Sequence, residues 1–172
     1  MEIYDKSHKI FRIACMYADA SQFLFNKGLS LQNPEFFITA IVNEALALEL
    51  YFKSIYYLDK NKDFMIKGNY SHDFYKLFKE LNPETKRDIK CYFKDALTQQ
   101  KLNQIKEIES KTGVSIPFDL ETNLKSWSQV YVKVRYIYEN NLDNLSMTFF
   151  EEIEKAVLRH TYNVRPEWEK KA

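Results

Sequence analysis

Between Pro34 and Leu58 the chain carries Phe37, Ile38, Ala40, Ile41, Val42, Ala45, Leu46, Leu48, Leu50, Phe52 and Ile55. Wound into a helix, these positions leave no face wholly polar. A helix that is apolar nearly all round has to be covered on all sides, so the rest of the chain must pack around it. The covering elements are helical too. Three glycines and four prolines in 172 residues are too few for the many tight turns of a sandwich or barrel, and they favour long helices with few connections. A chain of this length forms one domain and buries about 70% of its unfolded surface. The expected fold is all-α, an up-and-down bundle of five to six helices within a single domain over residues 1–172.

Helical spacing places the elements. A first helix runs from Ile3 to Lys27, with Gly28 as its stop. Asn33 caps the central helix and Pro34 takes its first position. A polar loop from Asp59 to Tyr70 leads to a short helix, Ser71–Leu81, capped by Ser71 and carrying Phe74, Leu77, Phe78 and Leu81 on one stripe. Asn82-Pro83 repeats the cap-then-proline signal before a long helix, Pro83–Lys111, stopped by Gly113. Its half from Gln99 to Lys111 is polar on most faces and should project into solvent. An aromatic helix follows over Leu120–Asn140, then a last one over Ser146–Tyr162. The tail, 163–172, is expected to fray.

A net charge of +1 gives no global field to draw the chain onto nucleic acid, although a local patch could do so. Cys15 and Cys91 lie far apart with no CxxC motif, which suits two reduced thiols. Met1 to Arg12 holds Glu2, Asp5, Lys6, Lys9 and Arg12 with no apolar stretch, unlike a signal peptide. No apolar run approaches the ~20 residues that span a bilayer. The expected location is the cytoplasm, with no membrane association. His8, His72 and His160 are too few for a multi-histidine metal site, and no metal or cofactor is expected.

Three groups of residues could carry chemistry. Glu49 and Lys53, four apart on the central helix, lie within reach of each other. They form either an ion pair at the bundle's edge or the lining of a site. In Gly68-Asn69-Tyr70-Ser71-His72-Asp73, His72 falls in the first turn of a helix, where unpaired N–H groups and the positive end of the dipole suit an anion; the alternative is local packing with Asp73 offsetting the dipole. Arg135 and Glu139, again four apart, sit among Trp127, Tyr131, Tyr136 and Tyr138. There the arginine grips a phosphate or stacks on a ring, or else forms an intrahelical pair that snorkels from the core.

These stretches, in this order, resemble the HEPN-domain family. Asn43-Glu44-Ala45-Leu46-Ala47-Leu48-Glu49-Leu50-Tyr51-Phe52-Lys53-Ser54 is similar to the family's A-x-E-L-x-L-K-x-L helix. Ser71-His72-Asp73-Phe74 through Leu77 resembles its G-H-D-L-x-x-L. Trp127 with Arg135-Tyr136-Ile137-Tyr138-Glu139 looks like its W-R-Y-x-Y-E ending. The likeness runs from Ala40 to Glu139. It implies a HEPN-like helical bundle, a homodimer, and a setting in prokaryotic defence, toxin–antitoxin or nucleotide-linked systems. Many members are metal-independent ribonucleases, marked by an arginine followed four to six residues later by a histidine. None of Arg12, Arg87, Arg135, Arg159 and Arg165 has such a histidine. The resemblance therefore implies first a module that binds nucleotide or RNA through Glu49, Lys53, Asp73 and Glu139. A metal-independent ribonuclease toxin using His72 and Arg135 is the second reading. A non-catalytic module docking a partner protein, such as an antitoxin, is the third.

Overall fold

The computed structural model describes residues 3–134 and 148–169. They form seven α-helices: α1 (Ile3–Leu31), α2 (Glu35–Lys60), α3 (Phe74–Glu80), α4 (Pro83–Ala96), α5 (Gln99–Thr112), α6 (Leu120–Val134) and α7 (Phe150–Val164). A two-stranded antiparallel hairpin, β1 (Met65–Ile66) with β2 (Asn69–Tyr70), and a 3₁₀ turn, Pro166–Trp168, complete the set. The all-α expectation holds, with more helices than the five or six anticipated.

The α1–α2 pair is the frame of the molecule, and a repeat of small residues builds it. Ser7, Ala14, Ser21 and Gly28 recur every seven residues on α1, and Ala40, Ala47 and Ser54 do so on α2; all are buried. Small side chains at seven-residue intervals form a seam along which two helices approach closely. The Ser7 and Ser54 hydroxyls lie 3.0 Å apart, and each bonds the other residue's carbonyl at 2.9 Å. At the opposite end, a Cβ on Gly28 would stand 2.9 Å from Phe37 and 3.1 Å from Phe36. The two contacts fix an antiparallel pair. They also correct the reading of Gly28 as a stop: α1 runs three residues past it, and the glycine makes room for α2. The reversal falls at Gln32, in the left-handed region at φ 51°.

Around α2 pack α3, α6 and α7, while α4 lies along α7. Phe52, Phe74, Phe78, Leu48, Leu124, Trp127, Phe93 and Val157 belong to one continuous buried core. The expected stripe of α3 is buried as read, at Phe74, Leu77, Phe78 and Leu81. The long fourth helix is two helices, because Leu97 turns extended and the Thr98 hydroxyl accepts from the Lys101 N–H at 3.2 Å to start α5. Gly113, left-handed at φ 70°, ends α5 as read. Only Ile105 of α5 is buried, in line with a helix directed to solvent. The loop after α2 holds the hairpin, turned by Lys67 and Gly68 with both φ positive, the geometry that two-residue hairpin turns prefer.

The last helix starts later than read and runs to Val164. The tail is not frayed between Asn163 and Glu169. Trp168, 5% exposed, stacks on His8 with ring centroids 4.8 Å apart and packs on Phe11 at 5.3 Å. A large ring with a nearby apolar slot outweighs the cost of ordering a chain end. No described helix is long and apolar enough to cross a membrane, and neither cysteine forms a disulfide.

Candidate functional site

Glu49 is the organising residue. It lies mid-way along α2 and is 3% exposed. A carboxylate taken that far from water needs hydrogen-bond donors, and it has two. Lys53, one turn along, donates at 2.5 Å, and His72 Nδ1 stands 3.0 and 3.1 Å from the two carboxylate oxygens. An ionised carboxylate only accepts, so in this pair Nδ1 is the donor. The arrangement joins a buried anchor to a ring that is 55% exposed.

His72 does not lie in the first turn of α3. The cap is Asp73, whose carboxylate accepts from the Lys76 N–H at 3.0 Å, and His72 precedes it. Ser71 bonds the Asp73 N–H at 3.2 Å instead of capping the helix. The first N–H groups of α3 are spoken for as well: that of Phe74 goes to the His72 carbonyl and that of Tyr75 to Ser128 Oγ at 2.9 Å. An anion at this place therefore meets side chains, not a bare helix end.

Those side chains surround a concavity of about 590 Å³, lined by His72, Asp73, Tyr75, Lys125, Ser128, Gln129 and Lys133. The floor comes from the start of α3 and the far wall from α6. Lys125 and Lys79 stand over the Tyr75 ring at 5.0 and 5.7 Å. A second concavity, of about 580 Å³, includes Lys79, Lys86, Arg87, Lys90 and Lys94. Lys79 and Tyr75 thus link two basic hollows on one side of the molecule, although the whole chain is nearly neutral.

The structure brings together Glu49, Lys53 and His72, and sets Asp73 beside them in a capping role. Arg135 and Glu139 lie outside the described residues. Sequence reasoning missed Tyr75, Lys125, Ser128, Gln129 and Lys133. The signal was the spacing of Lys125, Gln129 and Lys133, one stripe of a helix read until then for its aromatics. Glu44, also on α2, belongs elsewhere, beside Ser21 and Glu154. Among the described residues, no group of three or more His, Cys, Asp or Glu is arranged to hold a metal ion.

No protein-family model, no curated protein and no solved structure matches this chain.

Proposed function

We propose that the chain is a HEPN-like helical module that binds the phosphates of a nucleotide or RNA in the hollow beside His72. The observation that carries this reading is the Glu49–His72 pair: a buried carboxylate holding an exposed imidazole by Nδ1, at the edge of a cavity bordered by Lys125 and Lys133. Phosphate oxygens accept from ammonium donors such as Lys125 and Lys133. The adjoining basic hollow favours RNA over a mononucleotide, because a chain of phosphates can run from one to the other.

A second reading, a metal-independent ribonuclease, is favoured by the same pair. An imidazole oriented through Nδ1 is poised to take a proton from a ribose hydroxyl at Nε2. Arg135 would be the cation for the phosphorane. A role in defence, or with an antitoxin partner, rests on the resemblance alone. Self-association is supported by exposed Ile13, Met16 and Phe23 along α1.

The test is binding and cleavage of end-labelled RNA in EDTA by the wild type, His72→Ala and Arg135→Ala. Binding that weakens in His72→Ala supports the module. Cleavage falling ~10²–10⁴-fold in both folded variants supports the enzyme, as expected for loss of acid–base and electrostatic assistance. If the wild type neither binds nor cuts RNA or nucleotide, the phosphate reading is wrong.

A further inference from the structure

The largest of the described cavities, about 780 Å³, lies on α1, α2, α5 and α7 and shares no residue with the two basic hollows. Its chemistry is divided. Phe25, Phe37, Ile41, Ile105, Ile108 and Ile116 supply apolar walls, and Asp19, Glu44, Glu151, Glu152 and Glu154 supply carboxylates. Lys101 is the one cationic residue among those lining it.

The carboxylates are poorly compensated. Glu152 has a side chain only 6% exposed. Its Oε1 meets Lys101 at 3.4 Å, while its Oε2 is buried with no hydrogen-bond partner. An unsatisfied buried acceptor is destabilising, the more so when charged. Glu154 accepts from the Tyr51 hydroxyl at 3.0 Å, a neutral donor. Burial raises its pKa, and Asp19 and Glu151 raise it further. Glu44 is pushed up to about 7, chiefly by burial and then by Glu154, against the opposing pull of the Ser21 hydroxyl. Lys155 is committed to Glu151 at 2.6 Å on the exposed side.

We propose that this cavity binds a small organic cation, a primary ammonium on an aliphatic stem of the di- or triamine class. The ammonium would donate to Glu152 Oε2 and its acidic neighbours, and the stem would lie against the isoleucine and phenylalanine walls. A bare metal ion fits less well, because the described carboxylates are not grouped as a metal site and apolar walls give it nothing. Ammonium groups have three donors each and tolerate looser geometry.

The test is calorimetric titration of the full chain with spermidine and with 1,5-diaminopentane, at constant ionic strength, using magnesium and tetramethylammonium as controls. Saturable one-site binding of the primary amines, at least tenfold tighter than either control, is expected. Glu152→Gln should weaken it tenfold or more. Lys101→Met should tighten it severalfold, since the internal competitor for Glu152 is gone; this variant tests the proposal even if Glu152→Gln does not fold. At pH 7 the amine should displace a proton from Glu44, so that the measured heat varies with the ionisation enthalpy of the buffer. Absence of saturable amine binding, equal binding of magnesium, or amine affinity unchanged in both variants would overturn the proposal.

Discussion

Glu49 does two jobs with one carboxylate. It neutralises Lys53 inside the bundle, and it aims His72 at the neighbouring hollow. Replacing it with alanine removes both donors' partner, but the Lys53 side chain, 21% exposed, can turn to water. Glu49→Ala should therefore cost about 1–3 kcal/mol, below the loss seen when a fully buried ion is stranded. Chemical denaturation measures that cost. Phosphate-ligand affinity should fall with it, and a variant that binds as the wild type does would remove Glu49 from the site.

Glu44 makes a separate, pH-dependent prediction. Its pKa in the fold, about 7, lies above its ordinary 4.5. Its contribution to stability is therefore fully present below 4.5 and is lost as pH rises through 7. Glu154 shifts in the same direction. His160, lowered chiefly by burial, works the other way and loses its contribution as pH falls below its ordinary 6.5. Comparison with Glu44→Gln isolates the first effect. The variant should gain on the wild type by about 1–2 kcal/mol between pH 5 and pH 7.5, allowing for screening of a group only partly buried. Melting curves that stay parallel across that range would contradict it. At this scale the sequence was half legible. The four-residue spacing of Glu49 and Lys53 gave their pairing, and a motif pointed to His72. The stripe of Lys125, Gln129 and Lys133 is visible in the sequence, but its role was not, because which face of α6 meets α3 depends on packing between distant segments.

Among the elements, local signals were read best where they act alone. The apolar stripe of α3 and the glycine end of α5 needed nothing beyond their own residues. Two errors came from local signals overruled by packing. Gly28 looked like a stop but serves the α1–α2 seam, whose seven-residue repeat of serine, alanine and glycine is plain in the sequence once the partner helix is known. The tail looked frayed because it is charged, yet Trp168 covers Phe11 and His8. The split between α4 and α5 was hidden because it uses a threonine cap without proline or glycine. The tail carries a direct consequence. Trp168→Ala should destabilise the fold by about 3 kcal/mol, at the lower end for a buried aromatic because the site lies at a chain end. Thermal melting would register this as a clear fall in Tm; an unchanged Tm would mean that the last turn adds nothing to the core.

Across the whole molecule, charge and apolar surface are sorted onto different sides. The basic hollows gather on α3, α4 and α6, the acidic cavity on α1, α2, α5 and α7, and the outer face of α1 exposes Ile13, Met16 and Phe23. That outer face can be located by counting. Met16 comes two residues after Ala14, and Phe23 two after Ser21, so at about 100° per residue each points some 200° away from the seam with α2. Met16 and Phe23 are 68% and 67% exposed, and Ile13, on the same stripe, is 47% exposed. Seven-residue spacing of large apolar side chains is the pattern that a second helix covers. A second copy is the occupant that the resemblance implies, and the stripe gives it a seat that keeps both basic faces open. Sedimentation should then give a mass of twice 20.6 kDa. The double change Met16→Glu and Phe23→Glu, on the surface and away from the core, should return it to 20.6 kDa with its helical circular dichroism intact. A wild type that sediments as a monomer at high concentration would leave the stripe to a different partner and would remove the dimer from the proposed function.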